Sequence, residues 1–320
     1  MRRRDFVKAL AAFAVFPTGA RAQAYPSRPI RLVVGYAAGG ANDIIARLIG
    51  QWLSERLGQP VIVENRPGAA SNIATESVIR AAPDGHTLLL TSASNAINAT
   101  LYEKLNFDFV RDTAPVAGIC RVSNVMLVHP SLPPTSVTEF IAYAKASASK
   151  LAMGSPGIGS PQHVAGELFK MMTGLDMTHV PYRGGAAALT DLIGGQIPVC
   201  FASTASSAPY VSAGKLRALA VTGTQASEAL PGVPTMAATV PGYEANAFYG
   251  ISAPAATAAD IIARLNREIG AGLIEAKLQT RLSEIGGTAL GGSPAEFGKL
   301  IADETEKWKR VVRFSGARSG

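Results

Sequence analysis

Cysteine, charge and long apolar runs are all scarce in this sequence, and each shortage removes a class of protein. Two cysteines in 320 residues exclude a disulfide-dense scaffold and a four-cysteine zinc site. Beyond the first two dozen residues no apolar run reaches the ~18 residues that a membrane helix needs. Charged residues are 17% of the chain, below the usual ~25%, while apolar residues are 48%, so a large core can form and disorder is not expected. The basic residues form no long run and no aromatic platform interleaves them, so the formal charge of +7 does not point to nucleic acid. No G-x-x-x-x-G-K-[ST] and no H-E-x-x-H occurs, and neither a cofactor nor a metal is expected. Thirty-two glycines and 20 prolines, in turn, predict many punctuated turns in place of a long-helix bundle.

The chain begins MRRRDFVKALAAFAVFPTGARAQA, a charged stretch, an apolar stretch and then small residues. That order is the pattern of a secretory signal, with Ala22-Gln23-Ala24 as a cleavage site and Ala20-Arg21-Ala22 as another. Arg3-Arg4-Asp5-Phe6-Val7-Lys8 also resembles the twin-arginine export signal, with a plain Sec signal as the alternative. Residues 1–24 carry five of the positive charges and one negative, so the remainder carries +3, a balance suited to small anions. Cys120 and Cys200 lie in apolar strand-like stretches and read as two separately buried thiols, with a disulfide possible.

Strands and helices alternate along the rest. IRLVVGY at 30–36 reads as a buried strand, and the helix after it places Ile44, Ile45, Leu48, Ile49, Trp52, Leu53 and Leu57 on one face. Short strands at 61–63 and 87–91 flank a helix at 72–81. The order repeats with strands at 151–154 and 177–180 and helices at 161–173 and 186–193, followed by strands at 199–201 and 216–222. This predicts two α/β units with parallel sheets. Thr257–Asp260 and Ser293–Glu296 are capping-box patterns that open C-terminal helices. The expected division is residues 25–122 with 230–320 as one discontinuous domain and 123–229 as a second, joined by strands near 120 and 230.

Small residues gather where strands pass into helices: AAGGAND at 37–43, GSPGIGSPQH at 154–163, YRGGAA at 182–187 and TSASNA at 91–96. At a helix start the first N–H groups lack internal partners and carry partial positive charge, so a carboxylate binds there without a basic side chain. Each turn alone can be explained by tight backbone geometry. Three of them spread over both units favour a shared anion cleft beyond the carboxyl ends of the strands. Tyr182 is the candidate hydroxyl donor to a ligand.

Enzymatic chemistry has little support. There is no G-x-S-x-G, and the four histidines form no metal or triad set. The alternative kept open is an exported serine hydrolase using Ser155 or Ser160 with His163, for which no third triad member is identifiable.

Taken together, YPSRPIRLVVGYAAGGAND at 25–43, LGQPVIVENRPGA at 57–69, APDGHTLL at 82–89, GSPGIGSPQHVAGELF at 154–169, HVPYRGG at 179–185 and GKLRALAVT at 214–222 resemble the Bug family, the extracytoplasmic solute receptors of tripartite tricarboxylate transporters. The resemblance covers nearly all of the chain after residue 24. It implies a two-domain, type II periplasmic-binding-protein fold of the α/β class, with a small carboxylate held between the domains. It also implies a periplasmic, monomeric protein whose partners are membrane subunits of such a transporter. Carried over by position, the contacts fall on Tyr36, Ala38, Gly39, Gly40 and Asn42, on Ser92 and Asn95, on Ser155, Gly159, Ser160 and His163, and on Tyr182, Gly184 and Gly185. Ala202 stands where the family often has an acidic residue, which argues against an amino-acid ligand and for a plain carboxylate or an aromatic acid.

Overall fold

The computed structural model describes residues 25–147 and 150–319. The proposed export segment lies outside them. The chain opens with β1 (Ile30–Val34), α1 (Ala41–Leu57), β2 (Val61–Asn65), α2 (Asn72–Ile79) and β3 (Thr87–Ser92). Then follow α3 (Ala93–Leu101), α4 (Phe109–Asp112), β4 (Thr113–Val122), β5 (Asn124–Val128) and α5 (Val137–Ala146). The middle holds β6 (Leu151–Ser155), α6 (Pro161–Thr173), β7 (Met177–Pro181), α7 (Gly185–Ile193), β8 (Val199–Ser203), α8 (Thr204–Ser212) and β9 (Arg217–Val221). The chain ends with β10 (Ala247–Pro254), α9 (Ala259–Leu273), α10 (Ala276–Glu284), β11 (Gly287–Gly291) and α11 (Pro294–Ser315).

Two sheets result, ordered β11-β4-β10-β3-β1-β2 and β7-β6-β8-β5-β9. β1 pairs in parallel with β2 and β3, and β6 pairs in parallel with β7 and β8. Ile30, Leu32, Val33 and Val34 are all buried, the pattern of a parallel strand covered on both faces. On α1 the buried apolar stripe is Ile45, Ile49, Leu53 and Leu57. Ile44, expected on that stripe, is 43% exposed because it falls on the helix's outer side at the first turn.

The crossings between the sheets fix how they meet. The chain passes from β4 to β5 through Ser123 alone and returns through residues 222–246. In the first sheet Ala247 pairs with Val122 and Tyr249 with Ser92, so both crossings leave at the edge where β1 and β3 end. In the second, Asn124 pairs with Ser203 and Val125 with Val221, so both enter at the edge where β6 and β8 end. The carboxyl ends of the two parallel strand sets therefore face each other across the crossings.

Three sequence expectations need correction here. The returning strand expected near residue 230 is β10, at 247–254. Residues 230–245 do not lie with the first sheet. Val221 N donates to Pro234 O, Ala245 N to Thr222 O, and the Tyr243 hydroxyl to Ala165 O on α6, bonds that keep this stretch beside β9. Thr257 does not cap α9, whose N-cap is Ala258, whereas the Ser293–Glu296 box does open α11. α11 then lies against both α3 and α6, and Trp308, Phe297, Phe248, Phe169 and Phe201 join one apolar cluster that runs between the sheets.

Candidate functional site

The loops that follow β1, β3, β6 and β7 lie at the facing edges of the two sheets. After β1, Tyr36 donates its hydroxyl to Ser94 Oγ at 2.5 Å, tying the first loop to the start of α3. Ala38, Gly39 and Gly40 are exposed and Asn42 is half-buried. Asp43 Oδ2 accepts from Gly39 N at 2.9 Å and from Arg47 Nε at 3.0 Å, and the guanidinium holds this carboxyl below its usual range. The loop amide at Gly39 is thus satisfied internally, while Ile44 N is the first amide of α1 to reach an intrahelical carbonyl, Gly40 O at 3.0 Å. The amides before it form the donor set that any helix start presents.

Beside this loop lies the segment between β2 and α2. Ala69, Ala70 and Ser71 take φ of 45°, 48° and 82°, three consecutive non-glycine residues in the left-handed region. Such residues cost on the order of 1–3 kcal/mol each and persist only where neighbours over-determine them. Asn98 supplies that hold, since Nδ2 donates to Ala70 O at 2.7 Å and to Asn72 Oδ1 at 2.9 Å. Asn95 adds a second tie, accepting from Ser92 N and donating to Thr75 Oγ1, which itself donates to Ser71 O. The predicted contact Asn95 therefore spends its side chain on shaping the wall. Gly35 is the only residue type that fits behind the turn, because a Cβ there would sit 1.9 Å from Ser71 Oγ.

On the second sheet the two loops are stitched together: Tyr182 N donates to Ser155 O and Gly184 N to Pro156 O. Tyr182 does not offer its hydroxyl outward. It donates to Asp191 Oδ2 at 2.8 Å, and burial together with that carboxylate pushes the phenol up to about 12. Ser160 caps α6, accepting from His163 N, and its own hydroxyl donates to Gly157 O. Gly159, φ 77°, donates its amide to His163 Nδ1 at 3.2 Å. Gly185 opens α7 behind Gly184.

His163 is buried and stacks on His179, with ring centroids 3.9 Å apart. Accepting from Gly159 fixes Nδ1 as unprotonated, so the remaining ring proton of the neutral form sits on Nε2, 3.9 Å from Glu167 Oε1. Burial pulls His163 down to about 3, helped by the charges of His179 and Lys170, and pulls His179 down to about 4, helped by Lys170. Lys170 Nζ lies 2.9 Å from Glu167 Oε2 and closes the array. The hydrolase reading fails on this geometry. The partner of Ser155 Oγ is His179 Nε2 at 2.7 Å, not His163, and Ser155 is fully buried behind the loop. The His163 ring reaches neither serine hydroxyl. These two histidines brace the glycine loop from within.

The two walls touch. A Cβ at Gly159 would meet Leu101 Cδ2 at 2.4 Å and Asn98 Oδ1 at 3.9 Å, both on α3 of the opposite sheet. Ala202, in contrast, is buried in apolar core with Val125, Leu189 and Leu216, so its identity reports on packing and not on a ligand's charge. A separate cavity of about 480 Å³ lies on the β11 side of the crossings, lined by Arg121, Ser123, Asn246 and Gln279 among others, and none of the predicted site residues lines it.

Against known proteins, residues 45–316 match the model of the tripartite tricarboxylate transporter family receptor. The chain is 34% identical to BugT of Bordetella pertussis over 300 residues, 93% of this chain and 92% of that one. Among solved structures it is similar to R. palustris Rpa4515 with adipate (37% identity, TM-score 0.82, covering 92% of this chain and 99% of that one). It is also similar to MatC from Rhodopseudomonas palustris with bound malate (30% identity, TM-score 0.78, covering 90% and 100%). The two facing α/β units, their strand-end loops and these likenesses agree, and the chain belongs to the tripartite tricarboxylate transporter receptor family, alongside the Bug proteins.

Proposed function

We propose that this protein is a periplasmic receptor that captures one small carboxylate-bearing metabolite between its two α/β units and presents it to membrane subunits of a tripartite tricarboxylate-type transporter. The observation that supports this reading is the facing of the carboxyl ends of β1 and β3 with those of β6 and β7, the strand ends that α1 and α7 follow. Helix-start amides hold a carboxylate without a basic side chain. Adipate in Rpa4515 and malate in MatC are carboxylates of the same class. Tyr36, Ala38, Gly40, Asn42, Ser92 and Gly185 supply the contact surface in this reading, and Gly39, Asn95, Ser155, Gly159, Ser160, His163, Tyr182 and Gly184 hold the loops in place. Capture works by closure about residues 122–124 and 222–247, with no chemical turnover. Residues 1–24 act as the export signal, cleaved near Ala24, and the exported protein is a monomer.

Titration calorimetry against a panel of mono-, di- and tricarboxylates tests the reading, together with mass spectrometry of whatever co-purifies. Saturable 1:1 binding of at least one carboxylate, with compaction in solution scattering, is the expected result. Failure of every carboxylate to bind, or covalent labelling of Ser155 by a serine-directed reagent, would refute it.

A further inference from the structure

The strands that link the two units have neighbours on both sides. In the first sheet, ordered β11-β4-β10-β3-β1-β2, the crossing strands β4 and β10 separate β11 from β3 and β1. In the second, ordered β7-β6-β8-β5-β9, the crossing strand β5 separates β9 from β8, β6 and β7. The candidate cleft uses the strand ends on one side of this pivot. On the other side, β11 starts at the pivot, with Gly287 paired to Val122, and β9 ends there, with Val221 paired to Val125. Between them lies the cavity of about 480 Å³. Its first-unit wall includes Gln279, Ser283 and Thr288, and its second-unit wall is the segment after β9, with Thr224, Gln225 and Ser227. Its inner end is at the pivot itself: a Cβ on Gly286 would sit 2.4 Å from Thr204 Oγ1, and that hydroxyl donates to Ser123 O in the crossing. The conformer that holds this cavity open is also the one in which Gly159 reaches Leu101 between the cleft walls.

We propose that this cavity is the moving counterpart of the ligand cleft: it widens as the cleft closes, so a group that fills it favours the closed, ligand-holding form. The proposal rests on the receptor reading above and concerns the regulation of that same site. Two rigid units joined at a pivot move oppositely on its two sides. Rotation that brings the ends of β1 and β3 towards those of β6 and β7 carries β11 and the end of α10 away from segment 223–228. In the open form the same walls approach each other. Bulk in the cavity therefore bars the open form without touching the carboxylate. A receptor that is closed for only a fraction of the time binds more weakly by that fraction, and raising the fraction recovers the affinity. The lining suits a space that changes width. Ser123 Oγ donates to Asn246 Oδ1, and Arg121 Nη1 donates to Glu244 Oε1 at 2.6 Å, so polar groups tied across the two crossings line or flank it and take up water as it opens. An apolar lining would instead cost free energy each time the walls part.

Ser283→Trp and Thr288→Trp each place an indole on the first-unit wall of the cavity, away from the cleft. In calorimetry against benzoate, malate, adipate and citrate, each variant is expected to bind at least about threefold tighter whichever of the four binds the parent protein. Solution scattering should show the carboxylate-free variants already more compact than the parent. A second measurement needs no added bulk: spin labels on Gln225→Cys and Thr288→Cys, both exposed positions of the lining, are expected to move apart when that carboxylate is added. Cys120 and Cys200 are buried and stay unlabelled. The label distance decides alone if neither Trp variant folds. Unchanged or weakened binding in the Trp variants, or labels that approach or keep their distance on binding, overturns the proposal and leaves the receptor reading standing. Binding of no carboxylate by the parent protein defeats the receptor reading, and the proposal with it.

Discussion

Gln162 Nε2 donates to Asn124 Oδ1 at 2.8 Å, joining the first turn of α6 to the residue where the chain enters the second sheet. Asn124 is fully buried, its amide N–H goes to Thr222 Oγ1, and its Nδ2 reaches Ala245 O on the return crossing. One side chain thus links both crossings and the helix that carries His163. Gln162→Leu leaves a buried carbonyl unpaired and is expected to cost about 1–3 kcal/mol in urea unfolding. Asn124→Ala, which removes two bonds, should cost more than Gln162→Leu, and the order of the two unfolding midpoints checks this.

Gly159 tolerates no side chain. Its φ of 77° disfavours any L-residue, and an added Cβ would lie 2.4 Å from Leu101 Cδ2, on a residue only 1% exposed that has no room to give way. Gly159→Ala is expected to hold the units apart and weaken ligand binding by at least about tenfold in calorimetry. Adding Leu101→Ala should recover part of the loss. Unchanged affinity in Gly159→Ala would show that the loop contact plays no part in closure.

The stacked His163 and His179 set an acid limit on stability. Both are held neutral in the folded protein, at about 3 and about 4, against an unfolded value near 6.5. The unfolded chain therefore takes up protons first as pH falls. Their contribution is full above about pH 6.5 and is lost progressively from there down to about pH 4 and then 3, with a slope of up to about 1.4 kcal/mol per pH unit for each group. Urea midpoints between pH 7 and 4 should fall less steeply in His179→Gln than in the parent protein.

Gly250 lies where β10 crosses beneath α11. A Cβ there would sit 2.2 Å from Phe297 Cζ and 2.5 Å from Ala117 O, and the carbonyl belongs to a paired strand that cannot shift. Gly250→Ala is expected to destabilise by at least about 2 kcal/mol in denaturant unfolding.

Cys120 and Cys200 are free, buried and on different sheets, and burial pushes both thiols up to about 12. A thiol-specific reagent should label neither in the native protein and both after unfolding in denaturant.

The amino-acid sequence by itself determined the alternation of strands and helices, the cap at Ser293, and the small-residue loops at 37–43, 154–163 and 182–187, because hydrophobic period and local turn chemistry are written in neighbouring residues. It also carried the family, through the order of its short segments. What it did not decide is which atoms those loops leave for a ligand. Tyr182 and Asn95 looked available in the sequence, yet Asp191 and Thr75 occupy them. Ser155 seemed to belong with His163, but adjacency of β6 and β7 brings His179 to it. The Asn72–Asn98 pair and the left-handed turn at 69–71 were invisible, since nothing in Ala-Ala-Ser announces positive φ and the two asparagines stand 26 residues apart. Hydrogen-bond partners are chosen by strand order and register, which bring distant residues together, and only the tertiary structure settles which buried groups remain unpaired.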